Sequence, residues 1–262
     1  MRLLSVALTF TKVAMQQQFA YRGEFLGQFI NAFAVDTLNA AVSVAVIYAH
    51  TDSLRGWSAG ELLVVVGLFN VVLGVMGTVM FPSLSRTTEA VYEGTFDYVL
   101  MKPVPSLFFA STHYVQVGHF VNSIVGVVLC AFGLFILEAG ALTWRVAFFP
   151  LMLASALAIF YAFVVAMTTL VFWAVRLEGL ESMFNVFFRT SRYPVDIYPK
   201  WIKGFLTYLF PVAFVSTVPT ETLVGRDSGW LIAVGPVIAT IAVYGATRFW
   251  RLGLRRYSSA SS

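Results

Sequence analysis

Apolar positions fall in unbroken blocks along this chain. They show neither the two-residue alternation of strands nor the narrow stripe of a water-facing helix. The clearest blocks cover residues 25–49, 62–81, 107–137, 146–175 and 231–250. Each reaches about 20 residues, the length of helix that crosses roughly 30 Å of hydrocarbon. Polar stretches separate them. The longest, 83–105, holds Arg86, Glu89, Glu93, Asp97 and Lys102. The pattern predicts an all-α membrane protein.

Two regions do not read as plain spans. In residues 1–22, Leu4, Ala7, Leu8, Thr11, Met15 and Phe19 share one side at helical spacing, with Arg2, Lys12, Gln16 and Arg22 as polar contacts. A helix of this kind lies in the membrane interface, and no small-residue cleavage site marks it as a signal peptide. The stretch from Leu180 to Gly225 is broken by Pro194, Pro199, Pro211 and Pro219, which argues against one straight helix. A broken helix at membrane depth needs cover from protein or a cavity. Two assignments follow. Either 178–194 is a short fifth span followed by a re-entrant helical pair over 200–223, or 204–223 is itself the fifth span.

Both assignments give six crossings with the two termini on one side. In the first, the opposite side carries Arg55, Arg145, Arg189, Arg192, Lys200, Lys203 and Arg226, seven of the 17 basic residues. In the second, Arg189, Arg192, Lys200 and Lys203 change sides and three remain. The excess of positive charge therefore places residues 251–262 and the N-terminus in the cytoplasm under either assignment, and by itself it favours the second.

Composition agrees with the block pattern. The chain of 262 residues is 59% hydrophobic and 11% charged, against roughly 25% charged residues in soluble domains. The single cysteine, Cys130, lies inside an apolar block and is read as a packing residue. The net charge of +4 fits cytoplasmic loops beside anionic headgroups. No basic stripe with interleaved aromatics points to nucleic acid.

Candidate chemistry is sparse. The chain has no Gly-Lys pair, so it lacks the phosphate-cradling loop of nucleotide-binding proteins. His113 and His119 are six residues apart and do not share a helix face. No nucleophile or metal motif stands out, and an enzyme is not expected. Asp36 is the notable charge inside an apolar block, with Asn31 and Asn39 nearby. It should face the bundle interior, as hydrogen-bonding glue between helices or as part of a transport or proton-coupling pathway. Gly67, Gly74 and Gly77 in the second block, and Ala154, Ala158 and Ala162 in the fourth, mark close helix contacts, read as packing within the chain. Trp57, Trp144 and Trp250, near block ends, read as interfacial anchors.

The stretch 83–105 is the most informative. Thr87 to Tyr92, including Glu89 and Val91, can form a short helix that Glu93 and Gly94 stop. The run from Thr95 through Phe96, Asp97, Tyr98 and Leu100 to Pro105 is too polar to span and too apolar to be a solvated loop. An amphipathic element of this kind calls for a protein partner or the membrane interface.

At these residues the chain resembles the ABC-2 type permeases, the membrane subunits of type-2 ABC exporters. The loop Gly94-Thr95-Phe96-Asp97-Tyr98-Val99-Leu100-Met101-Lys102-Pro103 is similar to the family's Gly-x-x-Asp-x-x-Leu-x-x-Pro signature. Tyr193-Pro194, Tyr198-Pro199-Lys200-Trp201 and Phe210-Pro211-Val212 resemble its Pro-rich segment before the last span. The length and the stretch Arg189 to Pro194 resemble a subgroup of about 260 residues whose permeases work in pairs. The resemblance implies six spans, with a coupling helix between spans two and three. Thr87, Glu89, Val91, Tyr92, Glu93, Gly94, Phe96 and Asp97 are then expected to meet a separate ATPase. It implies a second permease subunit and a re-entrant Pro-rich segment, and so favours the first assignment of the fifth span. It also implies a prokaryotic plasma membrane, with ATP and Mg bound by the ATPase and no cofactor on this chain. An ion-coupled secondary transporter using Asp36 is the rival reading, and it predicts an inverted internal repeat that is not evident.

Overall fold

The computed structural model describes residues 2–20, 22–30, 38–137, 147–173, 188–226 and 230–257. Every regular element among them is helical. The chain begins with α1 (Arg2–Ala20), α2 (Arg22–Ile30) and α3 (Leu38–His50). Then α4 (Ala59–Val75) passes through a π-helical turn, Met76–Met80, into α5 (Phe81–Tyr92). After these come α6 (Asp97–Leu100), α7 (Ser106–Thr112), α8 (Phe120–Ile136) and α9 (Phe149–Thr169). Short pieces α10 (Lys200–Gly204) and α11 (Thr217–Leu223) precede α12 (Trp230–Leu254). Among the described residues, four helices are long and apolar enough to cross a membrane: Ala59–Tyr92, Val117–Ile136, Phe149–Phe172 and Ile232–Leu254. The protein is a multi-pass membrane protein. The expected span 178–194 lies mostly outside the described residues, as do Asn31, Asp36 and Trp144. Asn39 falls in the first turn of α3.

Two expected boundaries are corrected. The second span does not close at Pro82 but continues as one 34-residue helix to Tyr92. Thr87 to Tyr92 is thus the end of a long rod and not a separate helix. Proline removes the N–H that would bond the Thr78 carbonyl four residues earlier. The π turn absorbs the mismatch, and the backbone N–H of Gln116 takes the Thr78 oxygen at 2.7 Å. That contact explains the second correction. The third block is not one helix, because α7 is capped at His113 and residues 114–116 are non-helical before a short turn at Val117–His119 leads into α8. The Ser83 hydroxyl donates to the Tyr114 carbonyl at 2.6 Å and accepts the Tyr114 N–H at 3.0 Å. The Arg86 guanidinium covers the Tyr114 ring at 3.7 Å. Each break therefore satisfies the other's backbone, which an apolar surrounding demands.

Close packing of α4 on α8 makes the centre of the fold. Gly60, Gly67 and Gly74 recur every seven residues on α4, opposite Gly133, Gly126 and Ser123 on α8. A Cβ built on Gly67 would lie 2.6 Å from the Cys130 sulfur and 2.7 Å from the Gly126 carbonyl oxygen. Small residues let the backbones approach this far. Cys130 and Ser123, also seven apart, direct Sγ and Oγ at the carbonyls of Val64 and Val71. The glycine stripe is intrachain packing, as expected, and Cys130 belongs to it.

At the N-terminal end of α4, Ser58 and Glu61 form a capping box. Glu61 also receives Arg226 through two hydrogen bonds of 2.7 Å, from Nε and from a terminal nitrogen. The guanidinium lies 4.4 Å from the Trp57 ring centroid. Arg55 donates to the Asp196 carbonyl at 3.4 Å. Both ends of the Pro-rich stretch 195–226 therefore sit at this end of α4. Between them, Leu206 and Ala213 bury against Val195. Trp57 is buried beneath Arg226 and is not an interfacial anchor.

In α1 the packed stripe is Phe10, edge-on to Phe109 of α7, with the buried Ala14. Leu8 and Met15, expected on the apolar face, are exposed on another side.

Candidate functional site

The far end of the α4–α5 rod carries the residues singled out in the sequence. The rod stops in a Schellman motif. Gly94 adopts φ +70°, a conformation glycine reaches without a Cβ clash. The Thr95 N–H bonds the Ala90 carbonyl at 2.9 Å, and the Gly94 N–H bonds the Val91 carbonyl at 3.2 Å. The chain then reverses, and Phe96 points inward.

Phe96 is fully buried. Its ring meets Phe172 at 5.6 Å, Trp250 at 6.3 Å and Tyr257 at 5.4 Å between centroids, each edge-on. Trp250 is buried with it and donates its indole N–H to Ser106 Oγ at 3.2 Å. Trp250 is therefore core, not an interfacial anchor. Burial and the neighbouring Asp97 carboxylate push the Tyr257 hydroxyl above its ordinary value, so the ring enters this cluster as a neutral phenol.

The candidates divide into two groups. Thr87 is buried and bonds the Ser83 carbonyl at 2.9 Å. Val91 packs against the same core as Phe96. These three hold the tip in place and present little to a partner. Glu89, Tyr92 and Glu93 are exposed, and Gly94 and Asp97 are half-buried. The expected coupling residues left out the most exposed apolar side chains of this tip. Tyr98 is 66% exposed and Met101 71%, and Leu100 lies between them. Tyr98 and Met101 are three apart, the spacing of one helix face. That signal was present but carried no weight until Phe96 turned inward. The tip is thus an apolar patch beside three carboxylates, those of Glu89, Glu93 and Asp97.

A model of the ABC-2 family transporter proteins matches residues 35–261. The chain belongs to the ABC-2 transporter family. No curated protein and no solved structure matches it. This ABC-2 permease is the membrane subunit of an ABC transporter, and permeases of its family work with ATPase subunits. The family is a transport component and not itself catalytic.

Within the permease, polar side chains at membrane depth are few. Asn70 and Asn122 are fully buried. Asn70 Nδ2 donates to the Val66 carbonyl at 2.8 Å, while its Oδ1 and both polar atoms of Asn122 lack partners. Both lie on the α4–α8 pair, close to the glycine contacts. A buried unpaired amide is costly in hydrocarbon, which marks these two residues as candidates for the polar lining of a pathway.

Proposed function

We propose that this permease is the membrane half of an ATP-driven exporter, forming the substrate pathway with a second permease subunit. The observation that carries the reading is the rod Ala59–Tyr92. One rigid element joins an exposed acidic and apolar tip to the Arg226–Glu61 clamp at its other end. Force applied at the tip by a nucleotide-driven ATPase would reach the far side without a hinge, except at the π turn. The tip faces the cytoplasm, in line with the excess of basic residues on the side of both termini. Six crossings complete the topology, with 178–194 as the fifth. The stretch 200–223 is re-entrant from the outer side, and the position of its two ends beside α4's N-terminus supports this. ATP and Mg bind the partner ATPase. The protein resides in a prokaryotic plasma membrane.

Affinity purification from mild detergent tests the reading, comparing wild type with Asp97→Arg and Tyr98→Asp. Co-purification of an ATPase subunit with wild type, and its loss in both variants, is the expected result. A stable wild-type protein with no ATPase would overturn it and return Asp36 and ion coupling to the front.

A further inference from the structure

Away from the tip and the α4–α8 centre, α9 and α12 leave an open groove of about 530 Å³ between them. This lies within the roughly 300–1,000 Å³ typical of small-ligand sites. Its walls come from Ala158 on α9 and Ala239, Val243 and Tyr244 on α12, and Arg248 and Arg251 close one end. Two threonines also line it, but Thr240 Oγ1 donates to the Pro236 carbonyl and Thr247 Oγ1 to the Val243 carbonyl, each at 2.8 Å. Their hydroxyls are spent on their own helix, and the wall they present is apolar.

The charged end has the opposite character. Arg248 and Arg251 are exposed and stand three residues apart, on one helix face. Like charges at that spacing repel. Among the described residues no carboxylate pairs with either one. Arg248 lies 5.0 Å from the Tyr244 ring centroid. Arg226 shows the contrast, since its guanidinium is matched to Glu61. The apolar helix Ile232–Leu254 has 23 residues, about 34 Å at 1.5 Å per residue. Its last two turns therefore reach the headgroup level, where long basic side chains extend toward water. Trp250, between the two arginines in sequence, buries against Phe96, so this is the end of the bundle that carries the tip.

We propose that the α9–α12 groove binds one anionic phospholipid, with an acyl chain along Ala158, Ala239 and Val243 and the phosphate between Arg248 and Arg251. An apolar channel ending at headgroup depth in two guanidinium groups that no described carboxylate pairs is complementary to a lipid of net negative charge; phosphatidylcholine brings the same phosphate but adds a cation against the arginines, and a free anion lacks the chain. The headgroup relieves the repulsion between the two arginines. The lipid occupies the leaflet on the tip side, which is the cytoplasmic leaflet under the orientation proposed above.

Native mass spectrometry of the full chain in mild detergent, with added phosphatidylglycerol or phosphatidylcholine, tests this. Wild type should retain phosphatidylglycerol about 30-fold better, the scale of two basic side chains at an anionic surface. The Arg248→Gln/Arg251→Gln variant should lose that preference. The charge-matched Arg255→Gln/Arg256→Gln variant should keep it. Thr240→Phe, which narrows the groove and leaves both arginines, should weaken retention several-fold, with melting in detergent confirming that the variant is folded. Glycerol phosphate, which has the anion but no chains, should not displace the lipid. Equal retention of the two lipids would overturn the site. So would equal losses in the two arginine variants, full retention in a folded Thr240→Phe, or displacement by glycerol phosphate.

Discussion

Phe96 meets Trp250 edge-on, with ring centroids 6.3 Å apart and planes at 75°. The contact ties the turn after α5 to the last turns of α12. A residue that sequence similarity places in a docking loop is therefore the bolt that fixes the loop to the bundle. Phe96→Ala should lower stability by about 3–5 kcal/mol, the cost of emptying a buried aromatic site. Tyr98→Ala, on the exposed side, should change it by less than about 0.5 kcal/mol. Thermal melting of the two purified variants checks this. Equal effects would mean that Phe96 is not a packing residue.

The outward face of the tip predicts the converse. Met101→Asp should leave the melting temperature unchanged and reduce recovery of the partner ATPase. Gly94→Ala should lower both the melting temperature and the recovery of the ATPase. Its φ of +70° costs a residue with a Cβ about 1 kcal/mol, and the strain shifts the direction of everything after Glu93. Pull-down and melting measured on the same preparations separate the two variants. A Met101→Asp protein that still binds the ATPase at wild-type level would remove this face from the interface.

The α4–α8 contact predicts a sharp contrast between glycines. A Cβ at Gly67 would meet the Cys130 backbone nitrogen at 2.7 Å, whereas nothing lies within 4 Å of one at Gly245. Gly67→Ala must push two helices apart and is expected to cost about 1–3 kcal/mol, as overpacking does. Gly245→Ala sits in an open helical position and should be neutral or slightly stabilising. Detergent melting curves decide this, and a tolerated Gly67→Ala would show that α4 and α8 are less closely apposed.

These contrasts also show what the sequence could carry. The apolar blocks were legible because lipid solvation is a matter of composition over 20 residues, and Gly67 and Gly74 announced a close contact by their size alone. Pro82 was misleading. A proline ends a helix only where its orphaned carbonyl stays unmatched, and the Gln116 N–H that matches it is far away in sequence. Trp57 and Trp250 misled in the same manner, since a tryptophan at a span end is an interfacial anchor only when nothing packs over it. The Arg226–Glu61 pair joins residues 165 positions apart, and no local pattern announces it.

The Arg226–Glu61 pair makes its own prediction. The guanidinium makes two parallel bonds of 2.7 Å to one carboxylate and also donates to the Gly56 carbonyl. Lysine supplies a point charge without that fork. Arg226→Lys should therefore restore little of what Arg226→Ala loses. Glu61→Gln should cost about 1–2 kcal/mol, because its amide Nε2 cannot accept from Arg226 or from the Ser58 N–H, whereas both carboxylate oxygens of Glu61 are used as acceptors. Melting curves for the three variants test this. Full rescue by lysine would reduce the clamp to a screened surface charge pair.

The two broken helices make the most demanding case. Ser83 both donates to and accepts from the backbone of Tyr114, at 2.6 and 3.0 Å, and Gln116 serves the Thr78 carbonyl that Pro82 leaves open. Ser83→Ala removes one hydroxyl but orphans two backbone groups in an apolar setting, so a loss of about 2–3 kcal/mol is expected. Pro82→Ala is the informative partner. Removing a proline from a helix interior ordinarily stabilises by about 3 kcal/mol, because the missing bond returns. Here the Thr78 carbonyl already accepts from Gln116, and the π turn at Met76–Met80 shifts the helix register just before residue 82, so the returning N–H finds only a shared, poorly aligned acceptor. Pro82→Ala should therefore be neutral or destabilising. A melting temperature several degrees above wild type would show that the Thr78–Gln116 bond is dispensable, and with it the coupling between the two breaks.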